Sequence, residues 1–393
     1  MGAISSCTRP TTQSAVVANF PVWFINPSTQ GLEHLIKALP PRPNWDSLLL
    51  QTMAAQKKGP GLGVEILRDS GGTPYKVGFS TPETFPPDST YPLIIYLHGG
   101  TRGTSNSKGE KAYEMLSPLA DSIDLFLASP SANGEAPWWS GTGLKRILQT
   151  LRFMSLHFPI DPQRVFLAGV SDGATGCYAA ANCIPGPFAG FIAVSGFGGL
   201  LPNLGMQLFP HNLMQRPIYN VNAGQDRLYP KESVDSFLQW LSENGVYVQT
   251  AFYPEEGHGF DYHRQEIPSL LGILRTWRRP APAQTIVWNL APAASCVDQV
   301  VSFSRQSETH LTQLTARWIH DTLEVQSLNL SQVTILCNQT EKTNVYCRIG
   351  SSPVRATRAR TMSSRDILVS ILHDATPRGK SRFAKLIGVK VHP

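Results

Sequence analysis

The chain has 393 residues, of which 41% are hydrophobic and 16% are charged. This composition is too apolar for a disordered chain, and the length is sufficient for two domains with separate cores. No apolar stretch reaches the roughly 18 residues of a membrane-spanning helix, so we expect no membrane span. The formal net charge of +6 lies entirely beyond residue 280, because residues 1–280 carry equal numbers of basic and acidic side chains.

The first 61 residues form an N-terminal extension punctuated by prolines. Two short amphipathic stretches, at residues 31–39 and 45–55, predict helices that are separated by a proline-rich break. We expect this extension to pack against the rest of the protein or to cover a cleft. It lacks the charged and apolar regions of a secretory signal, which favours a cytoplasmic location.

Strand and helix patterns alternate over residues 62–279. Residues 91–98 are a continuous apolar run, as expected for a strand that is buried on both faces. Further strands are predicted at 64–67, 75–80, 123–129, 164–168, 189–195, 217–223 and 246–253, and helices at 143–157, 173–182, 231–244 and 264–278. Such alternation implies a mostly parallel sheet with helices on both faces, so this segment is predicted to be an α/β domain.

A linker rich in proline and alanine follows at residues 279–283, and the apolar pattern beyond it has a period of two. Residues 284–350 therefore predict a small β-rich appendage, with strands at 285–290, 297–304, 316–325, 332–337 and 344–349. Residues 351–393 hold most of the excess positive charge, and we interpret them as a basic C-terminal tail.

The strongest sign of chemistry is the sequence Gly-Val-Ser-Asp-Gly at residues 169–173, which fits the pattern G-x-S-x-G. It follows a predicted buried strand and opens a predicted helix that is rich in glycine and alanine. In that context the serine lies on a sharp turn with its hydroxyl exposed at the carboxyl edge of the sheet. We predict that Ser171 is a nucleophile.

A nucleophilic serine needs a base that accepts its proton, and histidine is the usual choice. Of the ten histidines, His258 is the best placed, in a glycine-flanked loop between the last strand and the last helix. His98 and His263 are the alternatives. His98 immediately precedes a glycine pair and suits a different role, and His263 lies at the start of a helix.

An acid should orient the histidine and offset the charge of the imidazolium ion. Asp226 follows the strand at 217–223 in a loop at the same edge of the sheet. Asp235 and Asp261 are the competitors, the first on a helix face and the second close to the histidine in sequence. The order serine, aspartate, histidine is the one expected of the hydrolase template.

The oxyanion that forms during acyl transfer needs backbone N–H donors. We predict one donor at Asp172, the residue after the nucleophile. The other is predicted at Gly99 or Gly100, in the loop that follows the long central strand, because glycine lets the backbone approach a substrate closely.

Together these features resemble the α/β-hydrolase superfamily, and within it the esterases similar to polyhydroxybutyrate depolymerases, feruloyl and acetylxylan esterases and dienelactone hydrolases. The resemblance covers residues 62–279 and rests on His-Gly-Gly at 98–100, the lead-in at 160–165, the serine turn, Asp226 and His258. It implies an α/β-hydrolase fold and a cofactor-independent serine esterase that forms an acyl-enzyme. Asp172 departs from the pattern, because many relatives have an uncharged residue there, and a carboxylate would disfavour an anionic intermediate unless it is paired.

Three aromatic side chains are candidates for substrate binding: Trp138, Trp139 and Tyr262. The tryptophans follow a predicted strand at the catalytic edge, where they can stack on sugar rings or aryl acids, although core packing is as common. We expect a small-molecule or glycan-linked ester as substrate. A peptidase of the prolyl-oligopeptidase type and a non-catalytic binding scaffold are the alternatives.

We expect no cofactor, metal or nucleic-acid partner. The sequence lacks a phosphate-binding glycine loop and has no metal-binding Cys or His spacing. The basic tail has almost no interleaved aromatic residues, which argues against nucleic-acid binding. The oligomeric state is left open.

Overall fold

The computed structural model describes residues 12–280, apart from 42 and 87, and a set of segments beyond them. Those segments are 285–290, 301–305, 312–319, 322–328, 330–337, 344–349, 355–358, 360–361, 363, 365, 368 and 387–391.

An eight-stranded sheet forms the centre of the α/β domain, with strand order β1-β2-β4-β3-β5-β6-β7-β8. The strands are β1 (Leu62–Arg68), β2 (Pro74–Ser80), β3 (Tyr91–Leu97), β4 (Phe126–Pro130), β5 (Ile160–Val170), β6 (Gly190–Val194), β7 (Ile218–Ala223) and β8 (Val248–Tyr253). β1 and β2 run antiparallel to their neighbours, and all pairs from β4 to β8 are parallel. The predicted α/β-hydrolase fold, with a mostly parallel sheet, is confirmed.

Ten α-helices surround and extend this sheet in the described residues. They are α1 (Thr12–Ile25), α2 (Thr29–Ala38), α3 (Trp45–Gln56), α4 (Gly109–Ala112), α5 (Gly141–His157), α6 (Asp172–Cys183), α7 (Pro210–Leu213), α8 (Lys231–Glu243), α9 (Tyr262–Gln265) and α10 (Ile267–Thr276). Two short 3-10 helices span Tyr113–Leu119 and Gly198–Leu204. None of the helices described is both long and apolar enough to cross a bilayer.

The central strands are buried on both faces, as their apolar sequences predict. Alternate residues of β3 face opposite sides of the sheet and belong to two different hydrophobic cores. Leu93, Ile95 and Leu97 lie in the core that includes residues of α5, α6 and α8. Ile94 and Tyr96 lie in the core that includes residues of α10 and the first 3-10 helix. This arrangement covers both sides of the sheet and leaves the carboxyl ends of the parallel strands as one shared edge.

Three helices, α1 to α3, form the N-terminal extension; α1 and α3 pack against α5, and α2 packs against α1. The sequence predicted α2 and α3, whose first turns are capped by the side chains of Ser28 and Asn44. It missed α1, because Pro21 lies inside that helix and proline normally marks a helix end. The Nε2 of Gln149 on α5 donates a hydrogen bond to the side chain of Asn26, 3.2 Å away, so the extension packs against the body of the domain.

The C-terminal third contains two further sheets. Their strands are β9 (Thr285–Leu290), β10 (Val301–Arg305), β11 (Thr312–Ile319), β12 (Thr322–Leu328), β13 (Leu330–Cys337), β14 (Asn344–Ile349), β15 (Arg355–Arg358), β16 (Arg360–Thr361) and β17 (Ile387–Val391). One sheet has the order β10-β13-β17-β16 and the other the order β15-β14-β12-β11-β9. The β-rich appendage predicted from the sequence is therefore present.

Two details of this appendage differ from the prediction. The single strand expected at 316–325 is part of a hairpin, in which Ile319 of β11 pairs with Thr322 of β12. The turn contains no glycine or proline, so the alternating pattern runs on without a break signal. Strand pairing also continues into the predicted tail, where β15 pairs with β14 and β17 with β13. The apolar residues of Ile387–Val391 alternate as in a strand, so the interpretation of this segment as a basic tail, which was based on its charge, was wrong.

The appendage contacts the α/β domain through an asparagine side chain. The Nδ2 of Asn212 on α7 donates to the carbonyl oxygen of Asn289 at 2.8 Å, and the N–H of Asn289 donates back to Oδ1 at 3.0 Å. The neighbouring Trp288 on β9 is fully buried. The amide of Asn212 thus pairs with β9 as a backbone peptide of a neighbouring strand would.

Candidate active site

Ser171 lies on a sharp turn between β5 and α6 at the carboxyl edge of the sheet. Its backbone has φ 56° and ψ −121°, in a region that residues other than glycine rarely adopt. The turn is crowded: a methyl group in place of the Gly173 hydrogen would lie 2.0 Å from the carbonyl oxygen of Leu97 on β3. The flanking glycines are therefore required, and the strained serine stands at the N-terminus of α6, where negative charge is favoured.

Asp226 and His258 form a hydrogen-bonded pair at the same edge of the sheet. The Nδ1 of His258 lies 2.8 Å from Oδ2 of Asp226. The other oxygen, Oδ1, accepts the backbone N–H groups of Leu228 and Tyr229 at 2.9 and 3.0 Å. The Asp226 side chain is fully buried, whereas about a quarter of His258 is exposed, at 26%. The carboxylate thus holds the proton on Nδ1 and leaves Nε2 as the accepting nitrogen.

Tyr229, which was not predicted from the sequence to belong to the site, packs against His258. Its ring stacks on the imidazole of His258, with centroids 5.6 Å apart and an interplanar angle of 16°. Burial raises the pKa of Tyr229, opposed in part by hydrogen bonding to Ser171 and Thr175, so the phenol stays protonated at neutral pH. The only sequence signal is its position, three residues after Asp226.

The loop at residues 98–101 passes directly beside the nucleophile. A methyl group on Gly99 would lie 3.0 Å from the Cβ of Ser171. His98 anchors this loop, because its Nδ1 bonds to the carbonyl oxygen of Gly99 at 2.8 Å and its Nε2 accepts the N–H of Ala132 at 3.0 Å. Burial lowers the pKa of His98 to about 4, so the ring is neutral and both nitrogens are engaged. His98 is therefore a structural side chain and not a free base.

The carboxylate of Asp172 points at this loop. Its Oδ2 accepts the backbone N–H of Thr101 at 2.7 Å and the hydroxyl of the same residue at 3.0 Å. The carboxylate of Asp172, which departs from the family pattern, is thus paired with two donors of Thr101. A carboxylate paired in this way is compatible with an anionic intermediate.

The remaining acid and base alternatives are engaged elsewhere. His263 bonds through Nε2 to Oδ1 of Asp261, 3.0 Å away. Asp235 forms an ion pair with Lys231 one turn earlier on α8, with both side chains exposed. Neither aspartate contacts His258 among the hydrogen bonds that the structure describes.

The three aromatic candidates for substrate binding differ in their exposure. Trp138 is fully buried, and its Nε1 donates to the carbonyl oxygen of His98 at 2.9 Å, so it holds the loop at residues 98–101 from the protein interior. Tyr262 is also buried, with its hydroxyl 2.5 Å from that of Tyr96. Direct substrate contact by these two is therefore not supported, because their surfaces and polar groups are used inside the protein. Trp139 is half-buried and stays a candidate.

Ser195 is a second strained residue that the sequence analysis missed. It follows β6, has φ 49°, and is fully buried. Its hydroxyl accepts the backbone N–H of Gly259 at 3.4 Å, and thereby ties the end of β6 to the loop that carries His258.

Comparison with known proteins finds similarity to esterases over part of the chain. Residues 143–294 match the Dienelactone hydrolase family. A bifunctional acetylxylan esterase/xylanase, XynS20E, from Neocallimastix patriciarum is 28% identical over 163 residues, which are 40% of this chain and 22% of that protein. The carboxylesterase SOBER1 from Arabidopsis thaliana is 25% identical over 190 residues, which are 42% of this chain and 82% of that protein.

Among solved structures, a thermostable esterase is 22% identical, with a TM-score of 0.44 over 56% of this chain and 63% of that one. The chain is thus similar, over part of its length, to the Dienelactone hydrolase family, to a carboxylesterase and to an acetylxylan esterase/xylanase. It spans 22% of the length of the first curated relative named above.

Proposed function

We propose that this chain is a serine hydrolase that cleaves carboxylic esters through Ser171, His258 and Asp226. The observation that carries the proposal is the buried Asp226 bonded to His258, with the ring of Tyr229 stacked on that imidazole and Ser171 at the same edge of the sheet. A serine hydrolase needs this combination of a strained, partly exposed nucleophile and an oriented base at one edge of a sheet.

In the proposed reaction, Oγ of Ser171 attacks the acyl carbonyl carbon while Nε2 of His258 takes its proton. The oxyanion of the tetrahedral intermediate accepts hydrogen bonds from the N–H groups of Asp172 and of Gly99 or Gly100. When the intermediate collapses, the ester C–O bond breaks and the leaving alcohol takes the proton from His258. Water then attacks the acyl-serine by the same route and releases the carboxylic acid.

The proposed substrates are acyl esters linked to carbohydrates or aryl groups. The activities of the two relatives, acetylxylan esterase and carboxylesterase, support ester hydrolysis in general and an acylated glycan in particular. The half-buried Trp139 near the start of α5 offers an indole face for a sugar or aryl ring.

The test is hydrolysis of p-nitrophenyl esters from acetate to decanoate, together with methyl ferulate and acetylated xylan. We expect Ser171→Ala to reduce kcat by roughly 10⁴- to 10⁶-fold, because the nucleophile is lost. Ser242→Ala, on the exposed side of α8, is the matched control and should behave as wild type. Full activity in Ser171→Ala would refute the proposal.

Two further outcomes identify the alternatives. Faster cleavage of peptide anilides than of any ester would indicate a peptidase. A folded wild-type protein that hydrolyses no ester and is not labelled by a fluorophosphonate would indicate a binding scaffold.

A further inference from the structure

The peptide unit between Gly100 and Thr101 is held between two opposite charges. Its N–H donates to Oδ2 of Asp172 at 2.7 Å, and its carbonyl oxygen accepts a hydrogen bond from the ammonium of Lys108. In a trans peptide the N–H and C=O point in opposite directions. The carboxylate and the ammonium therefore lie at opposite edges of one peptide unit, and rotation of that unit would break both bonds.

These two hydrogen bonds restrain a part of the loop whose backbone torsions could otherwise change easily. Gly100 has φ +65°, and glycine adopts positive and negative φ values with similar ease. The side-chain hydroxyl of Thr101 adds a third bond, to the same oxygen of Asp172, at 3.0 Å. Because Thr101 is buried, these bonds to a charged acceptor are stronger than neutral ones in water would be.

Asp172 thereby connects the two sides of the proposed oxyanion hole. Its own N–H is one predicted donor, and its carboxylate holds the loop that supplies the other. We propose that Asp172 and Lys108 are positioning residues, which fix loop 98–101 so that a glycine N–H faces the developing oxyanion. This inference rests on the proposed function and adds the reason for an acidic residue directly after the nucleophile.

The expected effect is a loss of turnover without a loss of ground-state binding. A donor displaced by about 1 Å can cost up to about 100-fold in rate, so Asp172→Ala should lower kcat by about 10- to 100-fold and leave KM within about twofold. Asp172→Asn keeps an acceptor oxygen without the charge, and should lose less. Lys108→Met should lower kcat by only about two- to fivefold, because this ammonium is exposed and screened by solvent.

A second readout separates positioning from folding. A trifluoromethyl ketone forms an oxyanion on Ser171, so its affinity should fall in parallel with kcat across Asp172→Ala, Asp172→Asn and Lys108→Met. The affinity for the carboxylic acid product should not change. Thr101→Ser keeps both donors and should retain more activity than Thr101→Val, which keeps only the N–H. Asp235→Ala, which removes an exposed acid on α8, is the matched control.

The outcomes distinguish this inference from the proposed function. Wild-type protein without esterase activity or fluorophosphonate labelling would overturn both. An active wild type with unchanged kcat in Asp172→Ala, or with a change in KM alone, would overturn the positioning role and leave the esterase proposal intact. If Asp172→Ala does not fold, Asp172→Asn and Lys108→Met decide the question by the same ketone measurement.

Discussion

Two carboxylate–imidazole pairs lie within a short stretch of this chain, and they differ in what their surroundings allow. Asp226 and His258 are 2.8 Å apart, and Asp261 and His263 are 3.0 Å apart. The side chain of Asp226 is completely buried, whereas 49% of that of Asp261 is exposed. By distance alone the two pairs would be almost equivalent.

The two pairs differ in the imidazole nitrogen that is not bonded to the carboxylate. In His263 the bonded nitrogen is Nε2, and the other, Nδ1, is enclosed by protein without a hydrogen-bond partner. In His258 the bonded nitrogen is Nδ1, and a quarter of the side chain is exposed. The two imidazoles are equally exposed, at 26% for His258 and 25% for His263, so their exposure does not separate the pairs. A base must present a free nitrogen to its substrate, so burial of the acid and enclosure of the second imidazole nitrogen identify the working pair better than the separation does.

The largest effect should come from removing the charge of the buried acid. We expect Asp226→Asn to lower kcat by about 10³- to 10⁴-fold, because an amide does not hold the proton on Nδ1 of His258 or stabilise the imidazolium ion. The measurement is kcat with p-nitrophenyl acetate from pH 6 to 9, with folding checked by circular dichroism. A loss of less than tenfold would mean that the buried pair is structural.

Tyr229 is a further difference between the two pairs. Its ring stacks in parallel on the imidazole of His258, whereas the ring beside His263, that of Tyr262, meets the imidazole edge-on. Tyr229→Phe keeps the stacking and removes the hydroxyl that interacts with Ser171. We expect kcat to fall by about tenfold, since a polar interaction beside the nucleophile is lost. Tyr229→Leu removes the ring as well and should lose more. Equal activity in wild type and both variants would exclude Tyr229 from the site.

His98 provides a third case, a buried histidine without a carboxylate on either nitrogen. Its pKa is lowered to about 4 by burial, whereas the unfolded chain takes up the proton near pH 6.5. Its contribution to stability is therefore complete above about pH 6.5 and is lost as the pH falls towards 4. Between pH 7.5 and 4.5 the free energy of unfolding should fall on the order of 2 kcal/mol more in wild type than in His98→Gln.

Urea denaturation at the two pH values measures this difference. The pKa of His157 is also lowered by burial, so the variant should retain part of the pH dependence. Parallel pH curves for wild type and His98→Gln would show that His98 does not change its protonation on unfolding in this range.

The smallest effect should come from the exposed pair. Asp261→Asn changes a half-exposed carboxylate whose contact with His263 is screened by solvent, and it should change kcat by less than about twofold. The same assay as for Asp226→Asn applies, and the two substitutions are matched in chemistry. A tenfold loss in Asp261→Asn would reverse the assignment of the acid.

Local sequence patterns were sufficient for the fold. The apolar run at 91–98, the strand–glycine–serine–helix order around Ser171 and the alternation up to α10 each depend on neighbours in the chain, and the structure contains all of them. The helix α1 was missed because Pro21 lies inside it, and the hairpin of β11 and β12 was missed because the residues between them include no glycine or proline.

Contacts between distant residues could not be found in this way. The bond from Thr101 to Asp172 joins positions 71 residues apart, and Trp138 reaches His98 across 40. A tryptophan in a loop has the same sequence whether it faces a substrate or the core. The order serine, aspartate, histidine located Asp226 and His258, but nothing local indicated that Tyr229 would lie against the imidazole.

The paired amide of Asn212 has a consequence for where this protein can be divided. Composition places the boundary at the proline-rich linker after Arg279. However, the same amide nitrogen also donates to the carbonyl oxygen of Asn182, at the far end of the helix that begins beside Ser171. A truncated protein that ends at the linker would expose the Asn212 amide and the surface that covers Trp288. The functional unit for expression and for domain exchange therefore includes at least β9. The helix that begins beside Ser171 is linked to the β-rich appendage by the two hydrogen bonds of the Asn212 amide.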